Sequence, residues 1–179
     1  DSRNYGGLDG QPEAKALFCQ MLGVKPEETL IGGNASLTLM FQTLNYAHNF
    51  GVRGAASAWN KEGKIKFLCP VPGYDRHFAI CHDLGIEMIP VAMDANGPDM
   101  DQVEALVKAD KLIKGIWCVP RFSNPSGIVY SDQVVERIAK LAKIAGPNFR
   151  IMWDNAYCIH AFHDDAQPLA NVMDLARQH

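Results

Sequence analysis

An α/β protein built on a mostly parallel sheet is the fold class that the sequence predicts, and three observations carry it. Short apolar runs alternate with segments of helical periodicity along most of the chain. Glycine and proline turns punctuate the boundaries between them. The 179 residues, 47% hydrophobic and 21% charged, have the size and composition of one globular domain.

Pro12 opens the first helical pattern, Leu17, Phe18, Met21 and Leu22 recur at helical spacing, and Gly23 ends it. Thr29 to Ile31 reads as a short strand meeting Gly32-Gly33-Asn34, and a second helix is expected from Ser36 to about Phe50. Gly51 to Gly63 is small and polar and reads as a surface loop. Lys64 to Cys69 is the next strand, Asp75 to Leu84 a helix closed by Gly85, and Ile86 to Met93 another strand. Asp99 caps a helix to about Lys108, and Gly115 to Val119 is a buried strand. Ser131 caps a helix to about Ile144, and Phe149 to Trp153 is the last strand. Five strands separated mainly by helices make a parallel sheet.

Composition narrows the function. The formal charge of −3 gives no basic footprint for nucleic acid, and no apolar run is long enough to span a membrane. Cys19, Cys69, Cys81, Cys118 and Cys158 are odd in number and contain no C-x-x-C pair, so they read as reduced thiols of a cytoplasmic protein. His77, Cys81 and His82, or His160, His163, Asp164 and Asp165, do not match a closed zinc spacing, and no metal is expected. A nucleophile elbow G-x-S-x-G, a Walker loop and a G-x-G-x-x-G are all missing.

In parallel sheets ligands collect at the carboxyl ends of the strands, which directs attention to the segments that follow each run. Gly32-Gly33-Asn34-Ala35-Ser36 sits at a strand-to-helix turn, where free N–H groups and the helix dipole can hold a phosphate. A plain tight turn with a serine near the cap fits the same residues. Pro72-Gly73 can aim the Tyr74 ring into the crevice as a stacking face, or leave it to ordinary packing. Asn124-Pro125-Ser126-Gly127 is a turn, with the Asn124 amide able to point back at the strand end. Asp154 follows the apolar Ile151-Met152-Trp153, so a buried strand delivers a carboxylate to the crevice edge. That charge is costly there unless a cation or strong donors meet it, and a partner is predicted.

Taken together, the phosphate turn, P-G-Y, N-P-S-G and D-N-A-Y resemble the hallmark segments of fold-type I pyridoxal-phosphate-dependent aminotransferases over essentially the whole chain. Arg3 to Gly10, Pro72 to Phe78 and Trp117 to Pro120 look more narrowly like bacterial aspartate aminotransferases related to MocR-type aminotransferase domains. The resemblance implies a three-layer α/β large domain with a mostly parallel sheet, pyridoxal 5′-phosphate as cofactor, amino-acid and 2-oxo-acid substrates, and a homodimer. It implies that Asp154 pairs with the pyridine nitrogen, that Tyr74 stacks on the ring, and that Asn124 and Tyr157 bind its 3′-oxygen. Asn34, Ala35 and Ser36 would bind the phosphate. His77, three positions after Tyr74, resembles the histidine that supports the pyridine-binding aspartate from behind, although a surface helix histidine would read the same way. Tyr5 resembles the tyrosine that reaches a partner subunit's cofactor phosphate.

In this family the Schiff-base lysine follows the D-x-A-Y segment, and the arginine that clamps the substrate α-carboxylate lies further on in a small domain. Here no lysine follows Lys143, and Arg177 is the sole Lys or Arg after Asp154. The chain, residues 1–179, is therefore expected to be a partial cofactor-binding large domain, an excerpt that is inactive by itself and poorly stable because the Thr29 to Ile31 strand lacks its neighbours. Two other readings stay open: a MocR-type regulator domain sensing pyridoxal phosphate or an amino acid, and an aminotransferase of other substrate preference. Arg53, Arg76 and Arg121 cannot be assigned from sequence to a second substrate carboxylate.

Overall fold

The computed structural model describes residues 6–179. In chain order its elements are α1 (Pro12–Leu22), α2 (Ser36–Asn49), β1 (Lys66–Val71), α3 (Asp75–Asp83), β2 (Glu87–Asp94), β3 (Gly97–Pro98), α4 (Met100–Ala109), β4 (Ile113–Cys118), α5 (Asp132–Ala139), β5 (Arg150–Trp153) and α6 (Val172–Arg177). The sheet runs β3-β2-β1-β4-β5. β2, β1, β4 and β5 are parallel, and β3 returns antiparallel to β2 through Met93↔Pro98 and Asp94↔Gly97.

Alternation along the strands sorts side chains into two apolar layers. Phe67 and Cys69 of β1 and Trp117 of β4 join Leu44 of α2 and Ile80 and Cys81 of α3 on one face. Leu68, Ile116 and Cys118 face the other way, onto Val103 and Val107 of α4 and Val135 and Ile138 of α5. Gly115 is required between the layers: a Cβ there would lie 2.2 Å from Cζ of Phe67. The three layers expected from sequence are thus present.

Local chemistry fixes the helix ends. Gly23 takes φ +63° and its N–H bonds Cys19 O, closing α1. The Asp99 carboxylate accepts from the N–H groups of Asp101 and Gln102, and Ser131 Oγ accepts from Val134 N–H.

Three expectations need correction. Thr29 to Ile31 is not a strand: Leu30 is exposed, and the Ile31 N–H bonds Asp9 O (2.9 Å) with no sheet strand beside it among the described residues. A three-residue run without a ladder partner has nowhere to place its backbone groups. Gly51 to Gly63 is not purely surface, because Trp59 within it is 1% exposed and packs edge-on to Phe67. The helix expected to reach Ile144 ends at Ala139 and tightens into a 3₁₀ turn over Lys140–Lys143. The sheet is mostly parallel, as the sequence predicts, and Gly97 at φ +127° turns the short β3 back antiparallel on β2.

No helix among the described residues is long and apolar enough to cross a membrane. All five cysteines are free thiols, three of them buried, and burial pushes the Cys118 thiol far up.

At the margin, Arg177 of α6 pairs with Glu28 and Asp174, which fastens α6 to the turn before residue 29. The Arg177 hydrogen bond holds the Glu28 carboxyl down at about 2, against an ordinary 4.5. A depressed folded value means that the pair's contribution is complete above about pH 4.5 and is lost as pH falls through about 2. NMR titration should therefore find the Glu28 midpoint near 2, returning toward 4.5 in Arg177→Gln; a midpoint indifferent to Arg177 would remove this ion pair from the account.

Candidate active site

The carboxyl ends of β1, β4 and β5 open on one cleft of about 120 Å³, lined by Ser36, Tyr74, Val119, Asn124, Asp154, Ala156 and Tyr157. Each polar side chain arrives there for a local reason. Ser36 is the first residue of the fourteen-residue α2, whose N-cap Ala35 offers no side-chain cap. Backbone N–H groups of the first turn therefore lack intrahelical partners. Tyr74 is the N-cap of α3, directly after the Pro72-Gly73 turn. A Cβ on Gly73 would lie 2.4 Å from Pro70 O, so glycine lets the chain turn back over the strand end. Asn124 precedes a cis proline in a turn closed by the Ser123 N–H to Ile128 O bond (2.8 Å).

Asp154 leaves β5 with its N–H bonded to Cys118 O (2.8 Å), which holds it against β4. Its side chain is 12% exposed, and Oδ2 lies 2.9 Å from Nε2 of His77, whose side chain is 1% exposed. The half-buried carboxylate thus has a hydrogen-bond partner of the kind that the sequence demanded, and His77 is an interior residue of α3 rather than a surface one. Trp117 lies flat against His77, with ring centroids 4.1 Å apart and an interplanar angle of 6°. Tyr74 meets the same imidazole edge-on at 5.1 Å.

The structure brings Ser36, Tyr74, Asn124, Asp154 and Tyr157 together, with His77 behind Asp154. Asn34 and Ala35 are exposed and do not line this cleft. Tyr5 lies outside the described residues. Trp117 was missed: in sequence it is one apolar residue of a buried strand, and its stack on His77 depends on the β1–β4 pairing. Arg121 donates to Cys158 O, keeps its Nε buried without a partner among the described residues, and borders a different cavity, next to Asn155.

This donor set fits one kind of ligand. A carboxylate at the base suits a cationic ring nitrogen, the tyrosine supplies an aromatic wall, and the open helix N-terminus with a serine hydroxyl suits a phosphate.

Over residues 1–179 the chain matches the family model described as aspartate amino-transferase. A protein of Mycolicibacterium smegmatis, named only to the aminotransferase class, is 46% identical over 176 residues, which are 98% of this chain and 41% of the relative. The crystal structure of an aspartate transaminase from Corynebacterium glutamicum superposes with a TM-score of 0.91 at 43% identity, covering 99% of this chain and 42% of that one. An α-aminoadipate aminotransferase from Thermus thermophilus, complexed with N-(5′-phosphopyridoxyl)-L-leucine, shares the fold at a TM-score of 0.72 and 19% identity, covering 99% of this chain and 41% of that one. The chain therefore spans about two fifths of the length of these relatives.

The architecture is the fold of pyridoxal-phosphate-dependent transferases, of which the chain covers a part. Within that class the chain belongs to the aspartate amino-transferase family.

Proposed function

We propose that the protein containing this chain is a pyridoxal-phosphate-dependent aminotransferase. It moves the amino group of aspartate to a 2-oxo acid such as 2-oxoglutarate, as a cytoplasmic homodimer. One observation carries the reading: a half-buried carboxylate, Asp154, backed by a buried imidazole, His77, 2.9 Å away at the base of a strand-end cleft. Aspartate as donor is supported by the named relative from Corynebacterium glutamicum at 43% identity.

The bound cofactor supplies an electron-withdrawing ring that takes up the electron pair left when a substrate Cα–H bond breaks. Asp154 keeps a proton on the pyridine nitrogen, and His77 orients and holds the carboxylate for that task. Tyr74 covers one ring face. Asn124 and Tyr157 donate to the ring oxygen, while Ser36 and the backbone at Asn34 and Ala35 receive the phosphate. The lysine that moves the substrate proton and the arginine that holds the α-carboxylate are assigned to polypeptide outside these 179 residues.

The test is borohydride reduction of the protein from its native source in the presence of pyridoxal phosphate, followed by intact mass and peptide mapping. A phosphopyridoxyl group on a lysine outside residues 1–179 is the expected result. No covalent adduct would reject the enzyme reading.

A further inference from the structure

Asn124 and Tyr157 reach the cleft from two separate loops. The first, residues 120–130, follows β4 and is closed by the Tyr130 N–H to Pro120 O bond (2.8 Å) and the Ser123 N–H to Ile128 O bond (2.8 Å). The second, residues 155–160, follows β5 and coils through the Cys158 N–H to Asn155 O bond (3.3 Å) and the His160 N–H to Tyr157 O bond (3.2 Å). All four bonds stay inside their own loop, so they fix each loop internally without fixing one against the other.

Among the described residues a single hydrogen bond joins the two loops: a terminal guanidinium N–H of Arg121 donates to Cys158 O. It starts three residues before Asn124 and ends on the residue directly after Tyr157. The guanidinium carbon of Arg121 also lies 5.2 Å from the centroid of the Phe122 ring, within the reach of a cation–π contact. Phe122 takes φ +49°, a left-handed backbone in which a bulky side chain is strained. Such a conformation persists where surrounding contacts hold it, and this turn leads the chain into Asn124.

We infer that Arg121 is a positioning residue, which braces the Asn124 loop against the Tyr157 loop and so fixes the separation of the two side chains that meet the cofactor's ring oxygen. An arginine suits that task. Its guanidinium is planar and always charged and presents several N–H groups in fixed directions, so it can lie on a ring and bond a carbonyl at the same time. A charged donor also makes a stronger bond than a neutral one. Arg121 itself does not line the cleft and borders the neighbouring hollow instead. Its effect on the cofactor rests on the function proposed above, whereas the brace between the loops does not.

The experiment uses the full-length protein, both free of cofactor and loaded with pyridoxal phosphate. In the cofactor-free form, Arg121→Met should speed hydrogen–deuterium exchange at the Ser123, Cys158 and His160 amides by about tenfold or more, as expected for losing a bond from a charged donor, while the amides of β1 and β4 keep their rates. Arg121→Lys retains a charged donor without the planar group, and should speed the same amides by less. In the loaded form, the visible absorption maximum responds to donors on the ring oxygen, and Arg121→Met should shift it in the direction taken by Tyr157→Phe. Unchanged exchange at Cys158 and His160 in both variants, or acceleration spread evenly over β1 and β4, would overturn the brace. An absorption maximum that Tyr157→Phe moves and Arg121→Met does not would overturn the positioning role. Protein that takes up no pyridoxal phosphate yet shows the coupled exchange supports the brace and rejects the cofactor reading.

Discussion

Asp154→Ala in the full-length protein is expected to lower turnover of aspartate and 2-oxoglutarate by at least the order of 10²–10³-fold typical of losing one preorganised electrostatic group. Among the described residues the carboxylate is the one acidic side chain lining the cleft, and partial burial leaves its negative charge little screened by water. Without it nothing there favours a proton on the pyridine nitrogen, and the ring loses most of its capacity to accept electrons. Binding should suffer less, because the α2 N-terminus, Ser36 and Tyr74 remain. A second effect falls on folding. His77 would keep an Nε2–H in a pocket that water scarcely enters, at a cost of roughly 1–3 kcal/mol for an unsatisfied buried donor. Asp154→Asn separates the two effects, since it preserves volume and an acceptor oxygen for His77 while removing the charge. Steady-state rates, cofactor absorbance and thermal melts on both variants make the check. Turnover close to wild type in Asp154→Asn would show that charge at this position is not what the reaction uses.

The strand ends were legible because parallel sheets gather ligands there, so Tyr74, Asn124 and Asp154 could be named from their place after apolar runs. Caps were equally plain: Asp99 and Ser131 start helices through bonds two or three residues away. What was not legible depends on contacts distant in sequence. Trp59 sits in a stretch of small and polar residues, and its burial comes from Phe67 and from an indole N–H bond to Asn148 O, 89 positions away. Thr29 to Ile31 has strand-like residues, but a strand exists only through a partner. The two-residue β3 leaves no periodicity to read, and α6 is set by its contacts with α5 and with Glu28. His77 was visible as a spacing, whereas the Trp117 face against it required two strands in register.

The same distinction predicts the largest stability effect, at a lysine that its own strand gives no reason to bury. Lys114 in β4 is 0% exposed, its ammonium 2.5 Å from Glu62 Oε2 and 3.0 Å from Pro147 O. Glu62 is also bonded by Asn148 Nδ2 (3.3 Å), and Asn148 O takes the Trp59 indole N–H (3.2 Å). One cluster thus fastens the Trp59 segment to the loop before β5, at the end of the sheet opposite the cleft. Lys114→Met should cost about 3 kcal/mol, the lower end of the range for removing one partner of a buried pair, because Glu62 keeps 26% of its side chain in water. That is a large share of the roughly 5–15 kcal/mol that holds a domain folded. Glu62→Gln should cost less, since the amide oxygen still accepts from the ammonium and the lost charge was partly solvated. Adding Glu62→Leu to Lys114→Met should recover much of the loss, because apolar side chains of similar volume replace a buried ion pair at little net cost. Urea unfolding of the full-length variants reads these differences from the midpoints. If Lys114→Met stays within about 0.5 kcal/mol of wild type, the range of ordinary surface substitutions, the cluster does not secure the Trp59 segment, and the packing of Trp59 on Phe67 must do so without it.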